Sequence, residues 1–484
     1  MQLKEPRLLR EQALIDGQWC DAADGRRFAV DDPATGATIG HVPDMGVTET
    51  ERAIAAAARA QRAWAAQSAK ARAAVLRRWF DLIVAHADDL AHIMVREQGK
   101  PLAEAKAEVL YGASFVEWFA EEGKRAYGDV IPTLGADRRF VVIKQPIGVC
   151  AAITPWNFPL AMITRKCAPG LAVGCSFVVK PAEQTPFSAL ALAVLAEEAG
   201  LPAGVFNVLT TLDAPAVGAT LCASPVVRKL SFTGSTEVGR ILMRQSAGTV
   251  KKLGLELGGN ASFIVFDDAD LDAAVDGAIA SKYRNSGQTC VCANRIYVQD
   301  GVYDRFAAKL TEKVRQLKVG QGFEGGVVQG PLIDAQALAK VEAHVADAVQ
   351  HGARVLTGGR PHARGGRFYE PTVLVDVTPA MRVSVEETFG PVAPLFRFAD
   401  EAEVIGLANA SEFGLASYFF SRDIGRVWRV AEALEVGIVG VNTGLISNEL
   451  VPFGGVKQSG LGREGSKYGI EDYLEIKYIC MGGL

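Results

Sequence analysis

Between Val149 and Phe266 the chain alternates short, mostly apolar runs with longer helical patterns. The runs Val149–Ile153, Ser176–Lys180, 205–209, 229–232 and 262–266 have strand length. A helical pattern over 188–199 stops at Gly200-Leu201-Pro202. Strand–helix–strand order of this kind requires a parallel sheet covered by helices, so the chain belongs to the α/β class. A second α/β region is expected from about Asp270 to Asn442. Ahead of both, residues 13–42 are short alternating runs broken by Asp-Gly, Asp-Pro and Thr-Gly pairs and read as hairpins. Thr48 and Glu51 have the spacing of a capping box opening an Ala-rich helix. A second helix sets Leu76, Phe80 and Ile83 on one face and stops near Gly99-Lys100-Pro101. A third is expected over 102–127 with Trp118 and Phe119 inward. Residues 138–150 and 473–479 alternate again and by themselves read as edge strands.

Length and charge narrow the function. A chain of 484 residues accommodates two or three domains. Net charge is −4 without a basic run, which argues against nucleic acid or an anionic membrane as partner. No apolar stretch reaches the ~18 residues of a membrane span. The first residues carry charges of both signs and no apolar core, so no signal peptide is expected. The eight cysteines are scattered, with no C-x-x-C pair or histidine cluster to suggest a metal. The expected compartment is therefore the reducing cytoplasm.

Two stretches carry chemistry. Gly287-Gln288-Thr289-Cys290 makes a poor core strand and a good exposed turn that could present a sulfur. A lone cysteine is more often a packing thiol, since reactivity depends on its surroundings. Leu255-Glu256-Leu257-Gly258-Gly259-Asn260 sets a carboxylate between two leucines, where desolvation raises its pKa toward that of a general base. A strand-end Glu in solvent is the plain alternative. Phe232-Thr233-Gly234-Ser235-Thr236 puts a small-residue turn between a strand and a helix, a phosphate-binding arrangement that departs from the GxGxxG fingerprint and is weak alone.

Glu-Leu-Gly-Gly-Asn followed by Gly-Gln-Thr-Cys resembles the aldehyde dehydrogenase superfamily. Pro155-Trp156-Asn157-Phe158-Pro159, Glu386-Glu387-Thr388-Phe389-Gly390-Pro391 and Pro452-Phe453-Gly454-Gly455 extend the resemblance along nearly the whole chain. It implies an NAD(P)-binding domain of residues 1–127 and 147–256, a catalytic domain of 257–445, and an oligomerisation arm of 128–146 and 467–484 in a homodimer or homotetramer. It further implies Cys290 as nucleophile, Glu256 as base, Asn157 as oxyanion donor and Lys166 in proton handling, with Glu464 a lesser relay candidate. Ile153, Thr154, Pro155, Trp156, Lys180, Glu183, Gly234, Ser235, Leu257, Glu387 and Phe389 would hold the cofactor. A carboxylate at Glu183 accepts from a ribose 2′-OH and repels a 2′-phosphate, which favours NAD, with NADP as second cofactor.

Arg165, Arg284 and Ser447 match the succinate-semialdehyde dehydrogenase branch. Two guanidinium groups near one site imply a substrate with an anionic tail. Glutarate semialdehyde is the nearest rival, because one methylene changes binding by only about 1–3 kcal/mol. A base at Glu256 argues against a CoA-acylating relative, and a redox-sensing binding protein is the alternative outside enzymes. Cys290 and Cys292 match a pair that closes into a disulfide in relatives. The combined expectation is a nucleophilic sulfur and a water-activating acid facing one small chamber, with cations at its far wall.

Overall fold

The structure, a computed structural model, describes residues 3–483. Its first sheet has eight strands, in the order Gln18–Cys20, Ala13–Ile15, Phe206–Val208, Ser176–Lys180, Val149–Ile153, Val227–Thr233, Lys252–Glu256, Gly460–Leu461. The five middle strands are mutually parallel; Ala13–Ile15 and Gly460–Leu461 run antiparallel to them, and Gln18–Cys20 pairs antiparallel with Ala13–Ile15. Chain order reverses between Val149–Ile153 and Val227–Thr233, and such a switch point opens a ligand crevice beyond the carboxyl ends of the strands. The runs over Val149–Ile153 and Ser176–Lys180 form strands with the expected bounds, being buried almost throughout.

Two expectations are corrected. The strand near 262–266 is Ala261–Val265 and belongs to the second sheet. The fifth parallel strand of the first sheet is Lys252–Glu256, whose polar ends and central Gly254 hide it from a search for apolar runs. The second sheet runs Arg354–Thr357, Thr372–Val375, Val392–Phe398, Ala293–Gln299, Ala261–Val265, Ala416–Phe420, Ile438–Val441 and is parallel except at its first pair.

The helices follow local chemistry. The first spans Val47–Ala66, and its cap lies earlier than Thr48: Glu49 reaches back to accept from the Gly46 amide at 2.9 Å. The single second helix expected to run to Gly99 is two: Ala69–Ala85 carries Leu76, Phe80 and Ile83 and stops at His86, and Ala87–Gln98 ends at Gly99, where φ is 90° and only glycine is unstrained. Leu102–Glu122 stops short of 127; Phe119 is buried and Trp118 half-buried. Leu474–Gly482 pairs antiparallel with Arg138–Pro146, which pairs with Asp129–Ile131, as a ribbon outside both main sheets. Leu484 of the expected arm and Met1 and Gln2 of the expected first domain lie outside the described residues.

Only Leu257 to Asn260 separates the last residue of the Lys252–Glu256 strand from the first of Ala261–Val265. The carboxyl edge of one sheet therefore meets the amino edge of the other, and both site loops fall in the seam. Its fit is tight. Gly287 has φ 76°, and a Cβ there would sit 2.0 Å from the Gly390 carbonyl oxygen. Gly287→Ala is expected to cost about 2–4 kcal/mol from backbone strain plus overpacking. Chemical denaturation measures this, and an unchanged midpoint would contradict the fit.

Candidate active site

One cavity opens in the seam, lined from the first sheet's side by Pro155, Trp156, Asn157, Gly234, Ser235 and Leu257. The second sheet's side contributes Arg284, Cys290, Glu387, Phe389 and Ser447, and Arg165 closes the inner end. Twelve residues expected from sequence thus share one space. Ile153, Thr154, Lys180 and Glu183 lie along the same carboxyl edge, where Ile153 pairs with Lys180 in register.

The Cys290 turn is internal. Asn285 (φ 51°) and Ser286 (φ 55°) take left-handed conformations, and residues 285–289 are buried. Within 285–290 Cys290 alone is half-buried, and it lines the cavity with Thr289, which corrects the expectation of an exposed turn. Burial pushes its thiol up to about 12, against the opposing pull of the Arg165 charge. The sulfur therefore rests as a thiol, and attack requires that a proton leave.

Asn157 lies ahead of the helix Ala161–Val173, in a loop, so it does not share that helix with Arg165. Its Nδ2 donates to the Gln288 carbonyl at 3.1 Å. That carbonyl fixes the amide orientation, since a flip would set two oxygens face to face. The second N–H of the amide is left for an acceptor in the cavity.

Glu256 is placed differently from expectation. It ends the Lys252–Glu256 strand, is buried, and lies beside the main cavity in a smaller chamber with Glu464, Lys229, Ser231 and Arg463. Arg165 lines both spaces. Neither carboxylate oxygen of Glu256 has a hydrogen-bond partner among the described residues. Burial, then the charge of Glu464, hold its carboxyl well above the ordinary carboxylate range, while Arg165 and Lys166 pull it back.

Glu464 binds both neighbouring cations. Arg165 Nε and Lys166 Nζ each donate to it at 2.5 Å. Burial alone would raise Glu464, but Lys166 and Arg165 hold it below the ordinary carboxylate range. Arg165 also lies over the Phe453 ring at 4.2 Å. Arg284 has no carboxylate within ion-pair distance among the described residues, and its guanidinium lies 4.9 Å from the centre of the Phe158 ring. Of the two arginines read from sequence, one is neutralised and one is free.

The crevice suits a dinucleotide. Ser235 caps the helix Thr236–Ser246, accepting from the Val238 amide at 3.3 Å, so a helix start faces the cavity edge. Thr154 and Thr233 hydroxyls and the Gln184 side-chain oxygen are buried without partners among the described residues, which leaves polar groups for a ligand. Lys180 pairs with Glu183 at 3.0 Å. Glu387 accepts from the Gly259 amide at 3.1 Å, and Phe389, held at φ 55°, meets Trp156 edge to face at 5.5 Å. Sequence reading missed Tyr111, Met162 and Lys340 on the wall, which carry no local signature.

A thiol, a free guanidinium, a fixed amide and a phosphate-type helix start in one seam define a class, and the chain belongs to the aldehyde dehydrogenase family, whose model matches residues 19–479. It is 66% identical over 484 residues to glutarate-semialdehyde dehydrogenase of Pseudomonas aeruginosa, covering 100% of both chains. It is likewise 66% identical over 482 residues to succinate-semialdehyde dehydrogenase [NADP(+)] GabD of Escherichia coli, again covering 100% of both. A crystal structure of an NADP-dependent enzyme of E. coli superposes with a TM-score of 0.99 at 66% identity, over 99% of this chain and 100% of that one.

Because the resting sulfur is a thiol, alkylation of Cys290 by iodoacetamide in the cofactor-free enzyme should rise about tenfold per pH unit up to about pH 10. Peptide mass spectrometry over a pH series reads this, and a plateau below about pH 8 would contradict it.

Proposed function

We propose that the chain oxidises succinate semialdehyde to succinate with a nicotinamide dinucleotide. The observation that carries this reading is Arg284, a cavity guanidinium without an acid of its own, with Ser447 on the same wall. A carboxylate tail supplies its missing partner with two charge-assisted hydrogen bonds. Glutarate semialdehyde fits the same chemistry, and the two similar relatives are named for these two substrates.

The sulfur of Cys290 adds to the aldehyde carbon while its proton passes to Glu256. The Asn157 amide and the Cys290 backbone N–H hold the oxyanion, whose charge exists only after attack. When bound, the cofactor supplies the hydride acceptor that turns the adduct on Cys290 into a thioester. Once Glu256 has passed the thiol's proton on to solvent by way of Glu464, it takes a proton from water, the water oxygen joins the acyl carbon, and the S–C bond breaks. The acid leaves with Cys290 as thiolate, which the proton on Glu256 restores to the thiol. Glu256 reaches both stations by rotation, since no hydrogen bond ties its carboxylate to the rear chamber. Lys166 and Glu464 line its way and handle its proton.

Trp156, Glu387 and Phe389 hold the nicotinamide end, Gly234 and Ser235 the pyrophosphate, and Lys180 and Glu183 the ribose. Ile153, Thr154, Pro155 and Leu257 shape the floor. Glu183 supports NAD over NADP, with its repulsion of a 2′-phosphate softened by Lys180. The same reading assigns residues 1–127 and 147–256 to cofactor binding, 257–445 to catalysis, and 128–146 with 467–484 to assembly into a dimer or tetramer. The ribbon's exposed Val130, Ile476 and Tyr478 support that assembly. All eight cysteines are free, in keeping with a reducing cytoplasm. Oxidation by a peroxide, with release of water, would join Cys290 to Cys292 and withdraw the nucleophile until a thiol reductant reopens the pair.

Steady-state kinetics test the reading. Wild type should favour succinate semialdehyde over butanal, and NAD over NADP in kcat/KM. Arg284→Ala should lower kcat/KM for the semialdehyde by about 2–4 kcal/mol, roughly 30- to 700-fold, and leave butanal nearly unchanged. An equal loss on both substrates, or none, would refute it.

A further inference from the structure

We propose that Lys100 is a positioning residue that sets the oxyanion donor and the carboxylate-binding arginine together, by holding the Asn157 carbonyl and sharing the Phe158 ring with Arg284. The proposal rests on the reading above for the roles of Asn157 and Arg284.

Lys100 follows the Gly99 helix stop and is buried, its side chain 1% exposed. A buried ammonium is costly unless its donors are satisfied. Its Nζ donates to Glu108 at 2.5 Å and to the Asn157 carbonyl at 2.8 Å, and lies 4.1 Å from the centre of the Phe158 ring. Glu108, equally buried, turns its other oxygen to the backbone amides of Leu160 at 3.0 Å and Ala161 at 3.2 Å. These amides open the helix Ala161–Val173, where negative charge is favoured. The ion pair thus grips the segment 157–161 at both ends.

Phe158 sits inside that grip and lines the cavity. The Arg284 guanidinium lies over the same ring at 4.9 Å, so the ring's negative face attracts both cations. From the other side, Asn285 donates to the Asn157 carbonyl at 3.0 Å, and the backbone N–H of Asn285 is anchored by Glu104 at 2.8 Å. Glu104, Glu108 and Arg284 are the charged neighbours of Lys100, and among the described residues Phe158 is the ring that both cations approach. Neutralising Lys100 would need Glu108 alone, and two apolar residues would fill the volume at no greater cost. The added contacts, to a carbonyl and a ring on consecutive residues, are what a packing pair would not require.

The test uses the full-length enzyme with saturating NAD, comparing succinate semialdehyde with butanal. Phe158→Leu should raise KM for the semialdehyde about tenfold and that for butanal less than about threefold. Phe158→Tyr, which keeps the π face, should restore the ratio. Lys100→Met combined with Glu108→Gln, which leaves no lone buried charge, should lower kcat on both substrates by on the order of a hundredfold. It should also raise KM for the semialdehyde alone. Equal changes in KM on both substrates, or an unaltered kcat in the folded double variant, would overturn the proposal. Should the double variant fail to fold, the KM split of Phe158→Leu decides. A wild type that does not prefer the semialdehyde over butanal would overturn the underlying reading, and this proposal with it.

Discussion

The four-residue crossing from Glu256 to Ala261 is the constraint on which the site depends. It brings the carboxyl edge of one parallel sheet against the amino edge of another, so loops from two helix-covered layers interleave without a lid. The approach is close enough to exclude a side chain at Gly259, where a Cβ would lie 2.3 Å from the Cys290 carbonyl oxygen. Hydrogen bonds from Leu257 N–H to the Ser459 carbonyl at 2.9 Å and from Ser459 Oγ to the Gly258 carbonyl at 2.7 Å fix its path. Glu256 and Cys290 are thereby attached to opposite sides of one seam.

Charge is distributed across this seam in a consistent way. Lys100 with Glu108, and Arg165 and Lys166 with Glu464, are buried and mutually satisfied. They serve as framework, because removing one partner from such a pair strands the other. Among the described residues Arg284 and Glu256 lack such partners, and these are the groups proposed for substrate and water. A carboxylate without hydrogen bonds is free to move, and a guanidinium without an acid is free to bind one.

The sequence disclosed much of this where local chemistry suffices. Continuous burial made Val149–Ile153 and Ser176–Lys180 legible as strands, and the Gly-Gln-Thr-Cys and Glu-Leu-Gly-Gly-Asn stretches pointed to the seam. Lys252–Glu256 escaped because its strand character comes from pairing with Val227–Thr233, a tertiary effect. The rear placement of Glu256 is illegible for the same reason: a motif states which groups meet, and the surrounding charges decide which way they face. Lys100 was hidden inside a helix-stop signal, Gly-Lys-Pro, and Glu108 inside an ordinary helix, since burial of a distant ion pair leaves no local pattern.

The claim that Glu256 works on a thioester formed at Cys290 is tested most directly by rapid mixing of Glu256→Gln with succinate semialdehyde and NAD, followed by mass analysis of the quenched protein. The account predicts about one NADH per active site, formed more slowly than in the wild type because the thiol has lost its base, then turnover slowed by roughly 10²–10⁴-fold, and a succinyl group on the Cys290 peptide. Steady turnover near that of the wild type, or NADH formation that leaves Cys290 unmodified, would contradict it.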